Sequence, residues 1–140
     1  MSSDAQNIYD FLQRRVTAAA EKQFLFSEPD GRVFTYAKFK AAIDRAAAML
    51  SFHGIGKGDV VSLLMPNSVE YVIGYFACWK LGAIAGPVNS LLKEHETEFV
   101  MNNSEAKAAL VALEFWDRIE NIAEDLPHLQ SKKRTRLSAT

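Results

Sequence analysis

The sequence predicts an α/β fold: a partial parallel sheet with flanking helices, preceded by an N-terminal helix and a small hairpin. Two observations predict it. Three short apolar runs have the composition of buried strands, and helical patterns separate them along the chain. Strands that alternate with helices form a parallel sheet with right-handed crossovers. Because 140 residues with 49% hydrophobic content can bury one core, we expect one domain.

The chain begins with a predicted helix and hairpin. Apolar residues recur at helical spacing from about Asp4 to Glu21, which indicates an amphipathic helix. Two β-prone segments then flank Pro29-Asp30-Gly31, where the glycine permits the positive φ of a tight turn. These segments therefore predict a small hairpin.

A cap, an apolar stripe and a stop predict the second helix. Thr35 can cap its first turn, and Gly54 is a natural end. The stripe on one helical face consists of Phe39, Ile43, Ala46, Ala47 and Leu50. The run from Val60 to Met65 then has the β-branched, apolar pattern of a strand covered on both faces, and Pro66 ends it.

An unusually apolar helix is predicted from Ser68 to Leu81. Asn67 and Glu70 have the spacing of a capping box at its start, and Gly82 ends it. Because apolar residues occupy almost every side, the helix should be sandwiched between other elements. Its aromatic residues could line a fatty-acyl tunnel, but core packing is favoured; they are Tyr71, Tyr75, Phe76 and Trp79.

The remaining segments complete the alternation of strands and helices. The sequence AIAGPVN at 83–89 predicts a second strand, and a polar helix follows from about Lys93 to Asn103. The sequence AKAALVAL at 106–113 predicts the third strand. A last amphipathic segment contains Phe115, Trp116, Ile119, Ile122 and Leu126.

The glycine-rich stretch GIGKGD at 54–59 invites comparison with a phosphate-binding loop. Such a loop follows a strand and opens a helix, so that backbone N–H groups point at the phosphate. This stretch lies between the end of a helix and the start of a strand, and its glycine spacing matches neither phosphate-loop motif. We therefore interpret it as a helix stop and tight turn that binds no phosphate.

Composition and charge exclude several classes of function. A formal net charge of −1 and a pI near 6.3 provide no basic field for nucleic acid or an anionic membrane. The stretch from Val69 to Val88 contains Glu70, Lys80 and Pro87, so we expect no membrane span. With Cys78 as the one cysteine and no secretory pattern at the N-terminus, a reducing cytoplasm is expected.

Other candidate sites have more ordinary interpretations. His95 begins a run like the zinc motif H-E-x-x-H, but Phe99 stands where the second ligand would be. Glu94 and Glu98 share a helix face, where a solvated first turn is favoured over paired acid–base carboxylates. Cys78 lies in an apolar helix without a neighbouring base, so we expect a buried hydrophobe rather than a nucleophile.

Several ordered motifs resemble those of one known family. They are Thr35-Tyr36 at a helix start, Gly-x-x-x-Gly-Asp-x-Val at 54–61, Pro66-Asn67-Ser68 before the apolar helix, Gly82-Ala83, and Pro87-Val88-Asn89. In this order they resemble the N-terminal part of the AMP-forming acyl-CoA synthetases, an adenylate-forming superfamily, over roughly residues 7–114.

The resemblance implies an acid–thiol ligase. Such enzymes use ATP and Mg to activate a fatty or aromatic carboxylic acid as an acyl-adenylate, from which CoA displaces AMP. The resemblance would assign this chemistry to a phosphate loop, an adenine and metal segment and a mobile C-terminal domain, none of which occurs in this sequence. We therefore predict no catalytic, cofactor-binding or metal-ligating residue here, and a fragment that is itself inactive.

Domain limits and partners follow from the same resemblance. Residues 1–130 are predicted to be the N-terminal portion of an AMP-binding synthetase domain, and 131–140 a basic tail that is disordered or out of frame. The expected partners are the missing downstream part of the synthetase or a second copy. The alternative is a standalone binding or oligomerisation module that uses the helix 68–81.

Overall fold

The computed structural model describes residues 7–130, and the strands in this range form two sheets. Strands β1, Gln23–Ser27, and β2, Arg32–Thr35, form the predicted antiparallel hairpin. Strands β3, Val60–Leu64, β4, Ile84–Pro87, and β5, Ala108–Val111, form a parallel sheet in the order β4-β3-β5. The predicted α/β class is confirmed, because helices connect all three parallel strands.

Helices occupy each place at which the sequence predicts one. Their bounds are α1 Ile8–Ala19, α2 Tyr36–Phe52, α3 Val69–Leu81, α4 Glu94–Asn103 and α5 Trp116–Ile122, with 3₁₀ turns at Leu113–Phe115 and Ala123–Asp125. Asn7 caps α1, and its side-chain oxygen accepts a bond from Asp10 N at 3.0 Å. The predicted helix start at Asp4 and the predicted tail at 131–140 lie outside the described residues.

Each face of the parallel sheet carries its own apolar core. Helices α1, α2 and α3 cover one face together with the hairpin, and α4 and α5 cover the other. Successive side chains of a strand point to opposite faces. Leu63 therefore belongs to the first core and Leu64 to the second, and neither is accessible to solvent.

Helix α3 is enclosed on two sides, as its apolar sequence predicts. A Cβ atom at Gly74 would lie 3.4 Å from Leu63 Cδ2 and from Leu110 Cδ1, so a longer side chain would push the helix off the strands. On another side the Phe76 ring packs edge-on against the Phe39 ring of α2, with centroids 5.2 Å apart. Phe76 therefore serves the core.

The predicted capping box at the start of α3 is wrong. Ser68, not Asn67, is the N-cap, and Ser68 Oγ accepts a bond from Tyr71 N at 3.2 Å. Glu70 instead accepts a bond from Arg32 Nη2 of the hairpin at 2.6 Å. The tertiary partner prevails because a guanidinium–carboxylate bond joins two full charges and is stronger than a bond to a backbone N–H.

Asp44 of α2 ties three helices together. Its carboxylate accepts bonds from the Tyr9 hydroxyl of α1, from Lys40 Nζ at 2.7 Å and from Lys80 Nζ of α3 at 2.9 Å. Partial burial acts to raise the pKa of Asp44, but these donors outweigh it and lower the pKa to about 2. The ionised carboxylate therefore holds α1 and α3 against α2.

A hydroxyl in α4 is buried without a hydrogen-bond partner among the described residues. Thr97 is fully buried, and its Oγ1 atom is unpaired there. An unpaired buried hydroxyl costs about 1–3 kcal/mol of desolvation. We therefore expect Thr97→Val, which keeps the shape of the side chain, to raise the free energy of unfolding by about 1 kcal/mol in urea denaturation.

The matched control at this position is Thr97→Ser, which keeps the hydroxyl and removes a buried methyl group. It should lower the free energy of unfolding by about 1 kcal/mol. A Thr97→Val protein less stable than the parent chain would show that the hydroxyl is hydrogen-bonded in solution.

Candidate functional site

The connections after β3 and β4 leave the parallel sheet on opposite faces. The chain passes from β3 into α3 on one face, and from β4 into α4 on the other. In open α/β sheets, ligands bind outside the carboxyl ends of the strands. The turns at the carboxyl ends of β3 and β4, residues 65–68 and 87–90, are therefore the candidate functional site, and we call them the carboxyl-edge site.

The first part of the carboxyl-edge site directly follows β3. Met65 is buried and anchors this part, whereas Pro66 and Asn67 are exposed. Because Ser68 rather than Asn67 caps α3, the helix cap does not use the Asn67 side chain. Its amide is therefore available at the surface at this edge of the sheet.

The second part follows β4 and is held from two sides. Val88 N donates to Leu63 O at 2.9 Å, which ties this part to β3. Asn89 Oδ1 accepts a bond from Leu91 N at 2.9 Å, so the turn is closed by a side chain. From the other side, Arg118 Nη1 of α5 donates to Ser90 O at 2.7 Å.

Among the described residues of the carboxyl-edge site, the side chains are amides and apolar groups rather than an acid–base pair. Asn67 and Asn89 supply amides, while Leu91 and Leu113 at the same edge of the sheet are 88% and 69% exposed. Arg118 is engaged by Ser90 and by the Phe115 ring, 5.0 Å from the guanidinium carbon. Amides and apolar groups position other molecules, whereas catalysis by proton transfer or covalent attack needs a base or a nucleophile.

Sequence analysis did not predict the carboxyl-edge site, although a signal was present. Two strand-like runs are each followed by a short turn, MPNS at 65–68 and PVNS at 87–90. The site could be recognised only from the order of the strands, because the pairing of β3 with β4 is what brings the two turns side by side.

The glycine-rich stretch 54–59 lies at the opposite, amino edge of the sheet. As predicted, it ends α2 and precedes β3, and φ is 84° at Gly54 and 83° at Gly58. Gly56 N donates to Asp59 Oδ2 at 2.8 Å, within the stretch itself. These N–H and carboxylate groups therefore close a turn.

A cleft of about 390 Å³ adjoins this turn, between the starts of β3 and β5. Lys107 reaches across from β5, and its Nζ donates to Gly54 O at 2.8 Å and to Asp59 Oδ2 at 3.2 Å. The bond from Gly56 N and the Lys107 ammonium lower the pKa of Asp59. The charged groups nearest the turn are thus engaged with each other.

The other candidate residues are not brought together into a site. Glu94 Oε1 accepts a bond from Asn121 Nδ2 at 2.8 Å, and Phe99 is 70% exposed. Within residues 7–130, no group of three or more side chains could hold a metal ion. Cys78 is fully buried, and burial raises the pKa of its thiol to about 11, so it is protonated at neutral pH. That this chain carries no catalytic residue stays a prediction.

The aromatic residues of α3 form a continuous row. The ring centroids of Tyr71 and Tyr75 are 5.2 Å apart, and those of Tyr75 and Trp79 are 5.4 Å apart. Trp79 also packs on Phe76 at 5.1 Å, which joins the row to the first core. All three residues of the row are half-buried. Among the described helices, none is long and apolar enough to cross a membrane.

Comparison with known proteins finds one family. A family model described as AMP-binding enzyme matches residues 12–139. The long-chain-fatty-acid–CoA ligase FadD13 of Mycobacterium tuberculosis is 40% identical over 106 residues, which cover 75% of this chain and 21% of the ligase. The crotonobetaine/carnitine–CoA ligase of Salmonella typhi is 32% identical over 94 residues, which cover 67% of this chain and 18% of that ligase. This chain thus spans about a fifth of the length of the curated relatives that it matches.

Solved structures share the fold. The N-terminal domain of FACL13 from Mycobacterium tuberculosis superposes with a TM-score of 0.80 at 35% identity, over 84% of this chain and 30% of that domain. The anthranilate CoA ligase AuaEII, solved with anthranoyl-AMP, gives a TM-score of 0.83 at 33% identity, over 90% of this chain and 24% of the ligase. The matched part of these ligases is N-terminal.

Proposed function

This chain belongs to the AMP-binding enzyme family, and on that premise we propose that it is the N-terminal part of an AMP-forming acyl-CoA ligase. In the proposed reaction a carboxylate attacks ATP to give an acyl-adenylate and pyrophosphate. The thiol of CoA then displaces AMP to give the thioester. The observation that carries the proposal is the family-model match over residues 12–139.

The proposed substrate is a carboxylic acid, fatty or aromatic. The relatives are named for long-chain fatty acids, for anthranilate and for crotonobetaine or carnitine. These acids differ in size, charge and aromaticity. The common element of the names is a carboxylate joined to CoA, and the proposal therefore goes no further than this class.

We propose that this chain is inactive by itself. An adenylation transition state needs cations and hydrogen-bond donors arranged around the phosphates. Residues 7–130 contain no group that could hold a metal ion, and the Lys107 ammonium is engaged by Asp59 and Gly54. Binding of ATP, Mg and CoA would therefore require the remaining part of the ligase.

The carboxyl-edge site is the part of this chain that would face the reacting molecules. The amides of Asn67 and Asn89 and the apolar Leu91 lie there, outside the carboxyl ends of adjacent parallel strands. Under this proposal they position substrate or downstream residues, while the downstream part supplies the catalytic groups.

Partners and location are part of the same proposal. Several large apolar side chains are exposed: Ile8, Phe11, Phe24, Phe26, Val33, Phe52, Ile84, Leu91, Phe99 and Leu113. The remaining part of the ligase would cover a share of them. Self-association through the half-buried row of α3 is the second candidate, favoured by its three adjacent rings. A cytoplasmic location agrees with the free thiol of Cys78.

A chimaera tests the proposed function. Residues 1–130 of this chain replace the matching N-terminal segment of FadD13, and acyl-adenylate formation is measured as pyrophosphate exchange with palmitate. We expect the chimaera to keep activity within about tenfold of FadD13, a change of about 1.4 kcal/mol in the barrier. The isolated chain should show none.

Three controls make this result interpretable. FadD13 itself sets the reference, and the FadD13 remainder without any N-terminal segment should be inactive. Sedimentation of the isolated chain reports self-association. Activity in the isolated chain would contradict its proposed inactivity, and a folded chimaera without adenylation would contradict the proposed place in a ligase.

A further inference from the structure

One ion pair joins the hairpin to the start of α3. Arg32 Nη2 of β2 donates to Glu70 Oε1 at 2.6 Å, across 38 positions of sequence. The two side chains are 27% and 25% exposed, so salt screens the pair less than it would screen one at the surface. Glu70 lies two residues after Ser68, where the first part of the carboxyl-edge site ends. The hairpin is therefore linked to the edge of this site.

Arg32 is held in place by two further contacts. Its Nε atom donates to Asp30 Oδ2, and its guanidinium carbon lies 5.7 Å from the centre of the buried Phe34 ring. A guanidinium is a planar fork whose N–H groups point in fixed directions. With Nε already bound to Asp30, the group presents Nη2 to Glu70 at little further cost in side-chain entropy.

Without Arg32, Glu70 has a second partner at the start of its own helix. Asn67 precedes it by three residues, which is the spacing of a capping box. In that box the Asn67 side chain accepts a bond from Glu70 N, and the Glu70 carboxylate accepts one from Asn67 N. In the structure Ser68 is the cap instead, and Asn67 is exposed. Only one residue can be the cap, so the two arrangements exclude each other.

We propose that Arg32 is a positioning residue of the carboxyl-edge site: it keeps Glu70 out of the capping box and so leaves the Asn67 amide free for the molecules of the ligase reaction. This inference rests on the proposed function, in which the carboxyl-edge site faces those molecules. Removal of Arg32 should draw the amide into the cap, whereas removal of Glu70 should not, because the box then lacks its acidic partner. The two residues of one ion pair therefore have unequal effects.

Activity of the chimaera with FadD13 tests these unequal effects. We expect Arg32→Met and Asn67→Ala each to lower kcat/KM for acyl-adenylate formation by about tenfold, since both leave the site without this amide. Glu70→Ala and the double variant Arg32→Met/Glu70→Ala should stay within about twofold of the unsubstituted chimaera. A loss in Arg32→Met that Glu70→Ala restores is a result that a merely structural ion pair cannot give.

Arg32→Met and Glu70→Ala are matched variants, because each breaks the same ion pair. Their melting temperatures should be similar, so a difference in activity between them does not arise from stability. If Arg32→Met is unfolded, Arg32→Lys replaces it, because a lysine keeps the charge but has no fork to serve Asp30 and Glu70 together. Arg32→Lys should show a smaller loss of activity, which Glu70→Ala again restores.

Crystal structures of the substituted chimaeras give a readout that does not depend on activity. In Arg32→Met, Asn67 Oδ1 should lie about 3 Å from Glu70 N, and Ser68 Oγ should no longer accept the bond from Tyr71 N. In Glu70→Ala, Ser68 should still be the cap of α3.

The outcomes separate this proposal from the proposed function. An active chimaera in which Arg32→Met keeps full activity, or in which Glu70→Ala loses as much as Arg32→Met, would overturn the role of Arg32 and leave the ligase assignment standing. An inactive chimaera would contradict the assignment. In that case, a cap moved to Asn67 in the Arg32→Met crystal structure would support the role of Arg32, and an unchanged Ser68 cap would overturn it.

Discussion

Replacing Phe39 with alanine is expected to lower the free energy of unfolding by about 3–5 kcal/mol. Phe39 is completely buried, and its ring packs against Phe24 of the hairpin at 5.1 Å and against Phe76 of α3 at 5.2 Å. Truncation would therefore leave a cavity where three elements meet. Urea denaturation followed by circular dichroism measures the loss. If the loss exceeds the stability of the parent chain, the variant will be unfolded in buffer without urea.

Phe52 provides a matched control within the same helix. It is the last residue of α2 and is 86% exposed. Phe52→Ala makes the same chemical change without a cavity, so stability should stay within about 0.5 kcal/mol. If both substitutions cost the same, the packing of α2 against the hairpin and α3 would be wrong.

Acid is expected to destabilise this protein partly through Asp44. The pKa of Asp44 is lowered to about 2 in the folded protein from an ordinary value of 3.8. A lowered folded pKa means that the stabilisation is fully present above the unfolded value and is lost as pH falls toward the folded value. Stability should therefore decline between about pH 5 and pH 2 as this carboxylate takes up a proton.

Removing the carboxylate should remove this part of the pH dependence. Asp44→Ala breaks the bonds from Tyr9, Lys40 and Lys80, and we expect a loss of about 1–2 kcal/mol at pH 7, since solvent screens a partly exposed site. The loss should shrink toward pH 2. Urea denaturation midpoints of the parent chain and of Asp44→Ala, measured from pH 7 to pH 2, give the loss of stability at pH 7 and its decrease toward pH 2.

Glu28→Gln is the control for the acid experiment. Glu28 is an exposed carboxylate in the hairpin turn, so its removal should change the free energy of unfolding at pH 7 by no more than about 0.5 kcal/mol. A profile for Asp44→Ala that runs parallel to the parent profile at every pH would show that Asp44 does not link stability to pH.

Local patterns were sufficient to predict the kind and order of the elements. The β-branched run at Val60 and the stripe that includes Phe39 and Ile43 were recognised because strand and helix periodicity are properties of neighbouring residues. The family was predicted in the same way, from motifs that occur in order along the chain, and the match over residues 12–139 confirms it.

The start of α3 shows where local reasoning failed. Asn67 and Ser68 are both good capping residues, and the spacing of Glu70 favours Asn67 through a capping box. Arg32, far away in sequence, binds Glu70 and leaves Ser68 as the cap. A local motif could not reveal a competitor supplied by another element.

The sequence by itself determined the α/β class, the succession of strands and helices, the turn at 54–59 and the family. Only the tertiary structure decided the order β4-β3-β5, and with it the carboxyl-edge site and the two outer strands. It also decided that Asp44 would join α1, α2 and α3. The physical reason is that backbone preferences act between neighbours, whereas strand pairing and ion pairs join residues that meet only after the cores have packed.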